Sequence, residues 1–167
     1  MIAIPDTRPL LHAYGLAIDT PRHLAALTSE DAVARSAALY HLQSAVIHQG
    51  TPWPATGPVA QYLAALVAEG SLLNPDVQSV VLDVLHQIQD AAAAALRSSD
   101  RSTLERLAQP PGVDVNKEIA RHAESDELDA LYEDPVLADA IMARAFLGCL
   151  DALPAIEQCG LAPLRNR

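Results

Sequence analysis

Three times in this chain a capping residue and a proline stand directly before a long apolar run: Asp19-Thr20-Pro21, Asn74-Pro75 and Asp134-Pro135. Proline suits the first helical position because its missing N–H is among the amides a helix leaves unpaired, and its φ is already helical. The Thr, Asn or Asp before it offers an oxygen to the amides that remain. A chain punctuated this way is committed to helices that open near residues 21, 75 and 135. The run Ala91 to Ala95 agrees, since alanine has the highest helix propensity. Aromatic residues make up only 4% of the 167 positions, so a core must come from Ala, Leu, Val and Ile on closely packed helices.

The remaining boundaries follow from the same signals. Residues 1–19 read as an irregular surface segment, docked through Leu10, Leu11, Tyr14 and Leu16. Thr20 is the expected N-cap of a short helix through Leu27, and Ser29 that of a second reaching Ile47. At 100° per residue the second helix is apolar nearly all round, with only Arg35, Ser36 and Gln43 on a polar strip. That pattern predicts a helix sandwiched between neighbours. His48 to Pro58, with three prolines and two glycines, cannot continue it and forms a connector. Pro58 starts a third helix ending near Gly70. Asn74 caps the longest, to about Ser98, with Val77, Val80, Val81, Val84, Leu85, Ile88 and Ala92 as its apolar stripe.

Two short-long helix pairs thus recur at about 45 residues once the connector is discounted, near the HEAT and armadillo period. The C-terminal half is less regular. Short helices are expected at Ser102–Ala108, Val115–Ala123 and Glu127–Tyr132, with a break at Pro110-Pro111-Gly112. A strong helix from Pro135 to Leu153 buries Val136, Leu137, Ala140, Ile141, Ala145, Phe146 and Leu150. Pro154 ends or kinks it, and the tail from Leu164 frays. The expected fold is therefore one all-α domain over 1–167. Within it, 1–19 is irregular, 20–98 is an α-solenoid of HEAT-like helix pairs, and 99–167 is an irregular helical part.

The formal net charge is −10, from 21 acidic and 11 basic residues, which argues against a nucleic-acid ligand and for a basic partner. There is no signal peptide pattern and no apolar run of membrane-spanning length. Cys149 and Cys159 form no CxxC pair, so the expected location is the cytoplasm, with reduced thiols.

Enzyme motifs are missing: no Gly-x-Ser-x-Gly, no Walker loop, no Gly-x-Gly-x-x-Gly. Cys149 lies among Phe146, Leu147 and Leu150, surroundings that make a thiol inert. His41 and His48, two helical turns apart, read as satisfied core or helix-end histidines, and a metal there would need carboxylates or sulfur from elsewhere. No catalytic residue, cofactor or metal is therefore assigned. The polar face of the longest helix gathers Asp76, Asp83, His86, Gln87 and Asp90, the expected partner-binding residues, with Trp53 as a further anchor. The acidic segment Glu124, Asp126, Glu127, Asp129, Glu133 and Asp134 offers a second docking strip. Asp83, His86 and Asp90, spaced three and four apart, also carry the enzyme alternative, as half of a carboxylate-histidine metal or acid-base site.

His12-Ala-Tyr-Gly-Leu-Ala-Ile-Asp-Thr-Pro21 and His48-Gln-Gly-Thr-Pro-Trp-Pro-Ala-Thr56 together resemble the opening repeat of bacterial HEAT-repeat-like proteins of actinobacterial type. The resemblance covers roughly residues 10–70. It implies a helical-repeat fold and brings no catalytic residues. It also implies a structural connector: His48 and Gln49 satisfy the last carbonyls of the second helix, Gly50 takes a left-handed turn, and Trp53 closes the ends of the first two helices. The resulting expectation is a non-catalytic protein-binding module, in its most concrete form an antitoxin or immunity protein covering a basic toxin. A self-associating scaffold, as a homodimer, is the other non-enzymatic alternative.

Overall fold

A computed structural model describes residues 2–161, so the tail expected to fray from Leu164 lies outside the described residues. The chain is mostly helical, as the cap-proline pattern requires. Its helices are α1 (Thr20–Ala26), α2 (Ala32–His41), α3 (Thr56–Ala68), α4 (Pro75–Ser98), α5 (Arg101–Ala108), α6 (Val115–Glu124) and α7 (Pro135–Gln158). A π-helical turn at Leu42–Val46 extends α2, and a 3-10 turn at Leu128–Tyr132 precedes α7. Asn74 and Asp134 cap as the sequence predicts, each accepting the amides two and three residues on.

Two antiparallel hairpins were not foreseen. β1 (Leu11–His12) pairs with β2 (Gly15–Leu16), and β3 (Ile47–His48) pairs with β4 (Thr51–Pro52). In the second, Gln49 and Gly50 take φ of 51° and 78°, the two positive values a type I′ two-residue turn requires. Gly50 thus turns left-handed as expected, and the His48 Nδ1–H donates to the Ser44 carbonyl at 2.9 Å, ending the helix. Gln49 lies in the turn, and no hydrogen bond from its side chain to the helix carbonyls is found among the described residues.

The N-terminal segment is no irregular surface strand. Leu11 and Ala17 are fully buried, and the hairpin is tied in by bonds from the Ala13 amide to the Ala45 carbonyl and from the Ala55 amide to the Leu11 carbonyl. Leu11 belongs to a small core with Val115, Ile119, Leu131, Leu137, Ala140 and Ile141, joining the start of the chain to α6 and α7. The main core runs through α1 to α4 and the middle of α7.

α7 packs most closely on α3, and also on α5 and α4. Its contact with α3 is set by Gly57 and Gly148: a Cβ on Gly57 would stand 2.6 Å from the Gly148 backbone. α7 also continues through Pro154 to Gln158 instead of ending there, and Val136, expected inside, is half exposed at its first turn.

α2 departs furthest from expectation. It packs through Ala38, Leu39 and His41, while Val33 is 79% and Tyr40 70% exposed. It is an outer helix, covered on one side only, despite an apolar circumference.

Candidate functional site

Asp19 occupies the N-cap position of α1 in place of Thr20, which sits inside the helix. Asp31, Asn74, Asp100, Asp114 and Asp134 each point an oxygen at their helix amides; the Asp19 carboxylate does not. It turns to a group of histidines. Its Oδ1 lies 3.1 Å from His12 Nε2, and its Oδ2 lies 3.8 Å from both His23 Nε2 and His41 Nδ1. His12 comes from β1, His23 from one helical turn beyond Asp19, and His41 from the end of α2.

The rings are fixed by further partners. The Tyr14 amide donates to His12 Nδ1 at 3.1 Å, which leaves the His12 proton on Nε2, donated to Asp19. His41 Nε2 shares a 2.9 Å hydrogen bond with the hydroxyl of fully buried Thr20. His23 stacks on His41 with centroids 4.3 Å apart, and His12 meets His41 edge-on at 5.4 Å.

Burial, with the neighbouring His23 adding to it, holds His41 down at about 4, so its imidazole is neutral at physiological pH. Burial lowers His23 too. For Asp19 burial opposes ionisation, but the His12 hydrogen bond and the nearby histidines outweigh it and bring its pKa below the usual value. The result is one carboxylate facing three imidazoles, of which His41 is neutral and turns its Nδ1 toward Asp19.

This group lies in a cleft of about 520 Å³ whose rim includes Tyr14, Ile18 and Tyr40. One donor atom each from His12, Asp19 and His41 lies within 4.8 Å of the other two, the only such group of three or more His, Cys, Asp or Glu among the described residues. Asp19, His41 and Thr20 also stand in the order of an acid, imidazole and hydroxyl relay. Thr20 is fully buried, though, and the Asp–His separation of 3.8 Å exceeds a hydrogen bond, so no substrate meets an activated hydroxyl there.

The residues singled out on α4 are placed differently. Asp76, Asp83 and Asp90 are exposed, His86 and Gln87 half-buried, along one side of the helix. Among the described residues Asp83, His86 and Asp90 are not brought together with a facing ligand, so the carboxylate-histidine alternative has no second half there. Trp53 is half-buried and meets Tyr132 of the 3-10 turn edge-on at 5.9 Å. The acidic residues Asp126, Glu127 and Asp129 flank the β1–β2 hairpin, lining a cleft with His12 and Tyr14. Cys149 is buried in α7, and burial pushes its thiol up to about 12, as an inert core cysteine should behave.

Another cleft, of about 400 Å³ between α3 and α7, is lined by Gln61, Asn116, Arg144 and Asp151. Its charged groups are already engaged: Arg144 bonds the Ala108 carbonyl and Asn116, and Asp151 pairs with Arg101. The Asp19 group differs in bringing donor atoms of two histidines and a carboxylate within 4.8 Å of one another.

The sequence did contain the parts of this group. His12 and the Asp-Thr-Pro start are visible there, but the spacing of His41 and His48 makes His41 read as a satisfied core or helix-end histidine, at which a metal would need carboxylates or sulfur from elsewhere. What brings them together is the β1–β2 hairpin, and two-residue strands leave almost no periodicity to detect. No protein-family model, curated protein or solved structure matches the chain.

Proposed function

We propose that this chain is a non-catalytic binding module that docks a basic protein partner on the face formed by α2 and the β1–β2 hairpin. The observation behind this reading is the exposure of Tyr14 (63%), Ile18 (64%) and Tyr40 (70%) around one cleft. Apolar groups gathered in this way on a surface mark contact sites, and tyrosine is enriched at such sites because it buries much area for few rotatable bonds. Asp126, Glu127 and Asp129 flank the same hairpin and give the face a negative margin, consistent with a partner of opposite charge.

The HEAT-like reading fits the first four helices, where the α1–α2 and α3–α4 turns lie side by side around Ser29, Arg35, Leu73 and Pro75. In that reading α7, packed across α3, α4 and α5, closes the stack. An antitoxin or immunity role is the concrete form of the proposal, with the toxin as the basic partner. Asp76, Asp83 and Asp90 on α4 supply a second acidic surface that adds to long-range attraction.

Affinity capture from the native host with three proteins tests this: wild type, Tyr14→Ala with Tyr40→Ala, and Asp83→Lys with Asp90→Lys. The tyrosine pair is expected to release the specific partner, and the α4 pair to weaken capture mainly at low salt. Retention of every specific partner by the tyrosine variant would overturn the assignment. Sedimentation of the free protein tests the second-copy reading, in which the same tyrosines hold a homodimer.

A further inference from the structure

We propose that His12, Asp19 and His41 bind a divalent first-row transition metal ion, with Zn²⁺ as the reference ligand, at the floor of the cleft between the β1–β2 hairpin, α1 and α2. Three observations converge on this. The donor atoms already lie within 4.8 Å of one another before any ion is considered. They come from three separate elements, so the fold and not a single helix face assembles them. Asp19 also gives up the capping role that the other helix-opening Asp and Asn side chains perform, and spends its carboxylate on imidazoles.

Two histidines and one carboxylate make a borderline N/O donor set, suited to Zn²⁺ and Fe²⁺ rather than to Ca²⁺ or Mg²⁺, which prefer oxygen. Zinc holds such donors at about 2.0–2.2 Å, so the groups close in on the ion by about an ångström. Asp19, partly exposed at a helix end, can move without disturbing the core. On binding, His12 gives its Nε2 lone pair to the metal and its proton passes to Nδ1, so the bond from the Tyr14 amide to that atom is given up. His41 binds through Nδ1, and its Nε2–H donates to the Thr20 hydroxyl, the kind of outer hydrogen bond that orients a ligating histidine. The fourth position opens to the cleft, where His23 stands beside Asp19. A water, or a side chain from a docked partner, completes the coordination there. The inference is independent of the docking reading, since it concerns the free chain.

Zn²⁺ titration of the purified, chelator-treated full chain by calorimetry tests it, with Co²⁺ absorption reporting the ligand field. Wild type is expected to take up one Zn²⁺ per chain and to melt at a higher temperature with it, and Co²⁺ to give the intense visible bands of a four-coordinate site. Asp19→Asn keeps an oxygen for the His12 N–H, so it should fold with the wild-type circular dichroism while losing at least about tenfold in affinity. His41→Gln should lose as much, and His86→Ala, on α4, should lose nothing. Absence of stoichiometric Zn²⁺ uptake overturns the proposal. So does wild-type affinity in a folded Asp19→Asn protein, or a loss in His86→Ala equal to that in His41→Gln.

Discussion

Asp19-Thr20-Pro21 and Asp134-Pro135 look alike as sequence, yet the two helix starts are put to different use. Asp134 accepts the Val136 and Leu137 amides and does nothing else, and the helix it opens carries much of the core. Asp19 leaves the α1 amides without a side-chain acceptor and faces His12, His23 and His41. Around α7 the buried side chains are nearly all apolar. Around Asp19 the buried set includes His12, Thr20 and His41, polar groups that contribute less to folding than aliphatic ones would. The Asp19 corner gives up apolar burial, while the α7 side keeps the fold together.

The most severe way to break this division is to attack the α3–α7 contact. Gly57→Ala places a methyl 2.6 Å from the Gly148 backbone, where no side chain can rotate away. It should cost about 3 kcal/mol, in line with overpacking of a tight core, measured by urea denaturation. Gly148→Ala meets Gly57 at 3.4 Å and should cost clearly less. Equal losses in the two would show that the helices separate freely, and that α7 does not hold the fold as described.

The capping contrast itself gives the next effect. Asp134→Ala removes the oxygen that accepts from two helix amides and should cost about 1 kcal/mol. Asp19→Asn removes no cap bond and preserves the acceptor for His12, so its folding stability without metal should stay within about 0.5 kcal/mol of wild type. Chemical denaturation of both variants in chelator compares them directly. A larger loss in Asp19→Asn than in Asp134→Ala would mean that the carboxylate serves the fold first.

The α7 side was legible in the sequence because its signals are strong and local. A sustained apolar stripe recovers α3, cap and proline add to it for α4 and α7, and even the weak C-terminal helices fall close to their expected places. The Asp19 corner was not, for physical reasons that can be named. Its hairpins are two residues per strand, too short for alternation to show. Its histidines are separated by up to 29 positions, from His12 to His41, and meet only through tertiary packing. The apolar circumference of α2 was read as a sign of burial, whereas half of it faces outward with Val33 and Tyr40. Periodicity reports which residues avoid water on average. It does not distinguish a buried helix from one that keeps an apolar side free.

The smallest expected effect concerns the chemistry of the two regions. Burial in α7 pushes the Cys149 thiol up to about 12, so at pH 8 it is protonated as well as enclosed. Alkylation by iodoacetamide under native conditions, followed by mass spectrometry, should therefore label Cys159, which is only half-buried, and leave Cys149 untouched until denaturant is added. The raised pKa means that labelling of Cys149 reports opening of the core and not ordinary thiol reactivity. Gly57→Ala loosens the helix pair that encloses it and should bring Cys149 labelling forward in time, while Asp19→Asn, acting at the other corner, should leave the rate unchanged. If both substitutions accelerated labelling equally, the two regions would open as one unit, and the separation between a load-carrying α7 side and a polar Asp19 corner would fail.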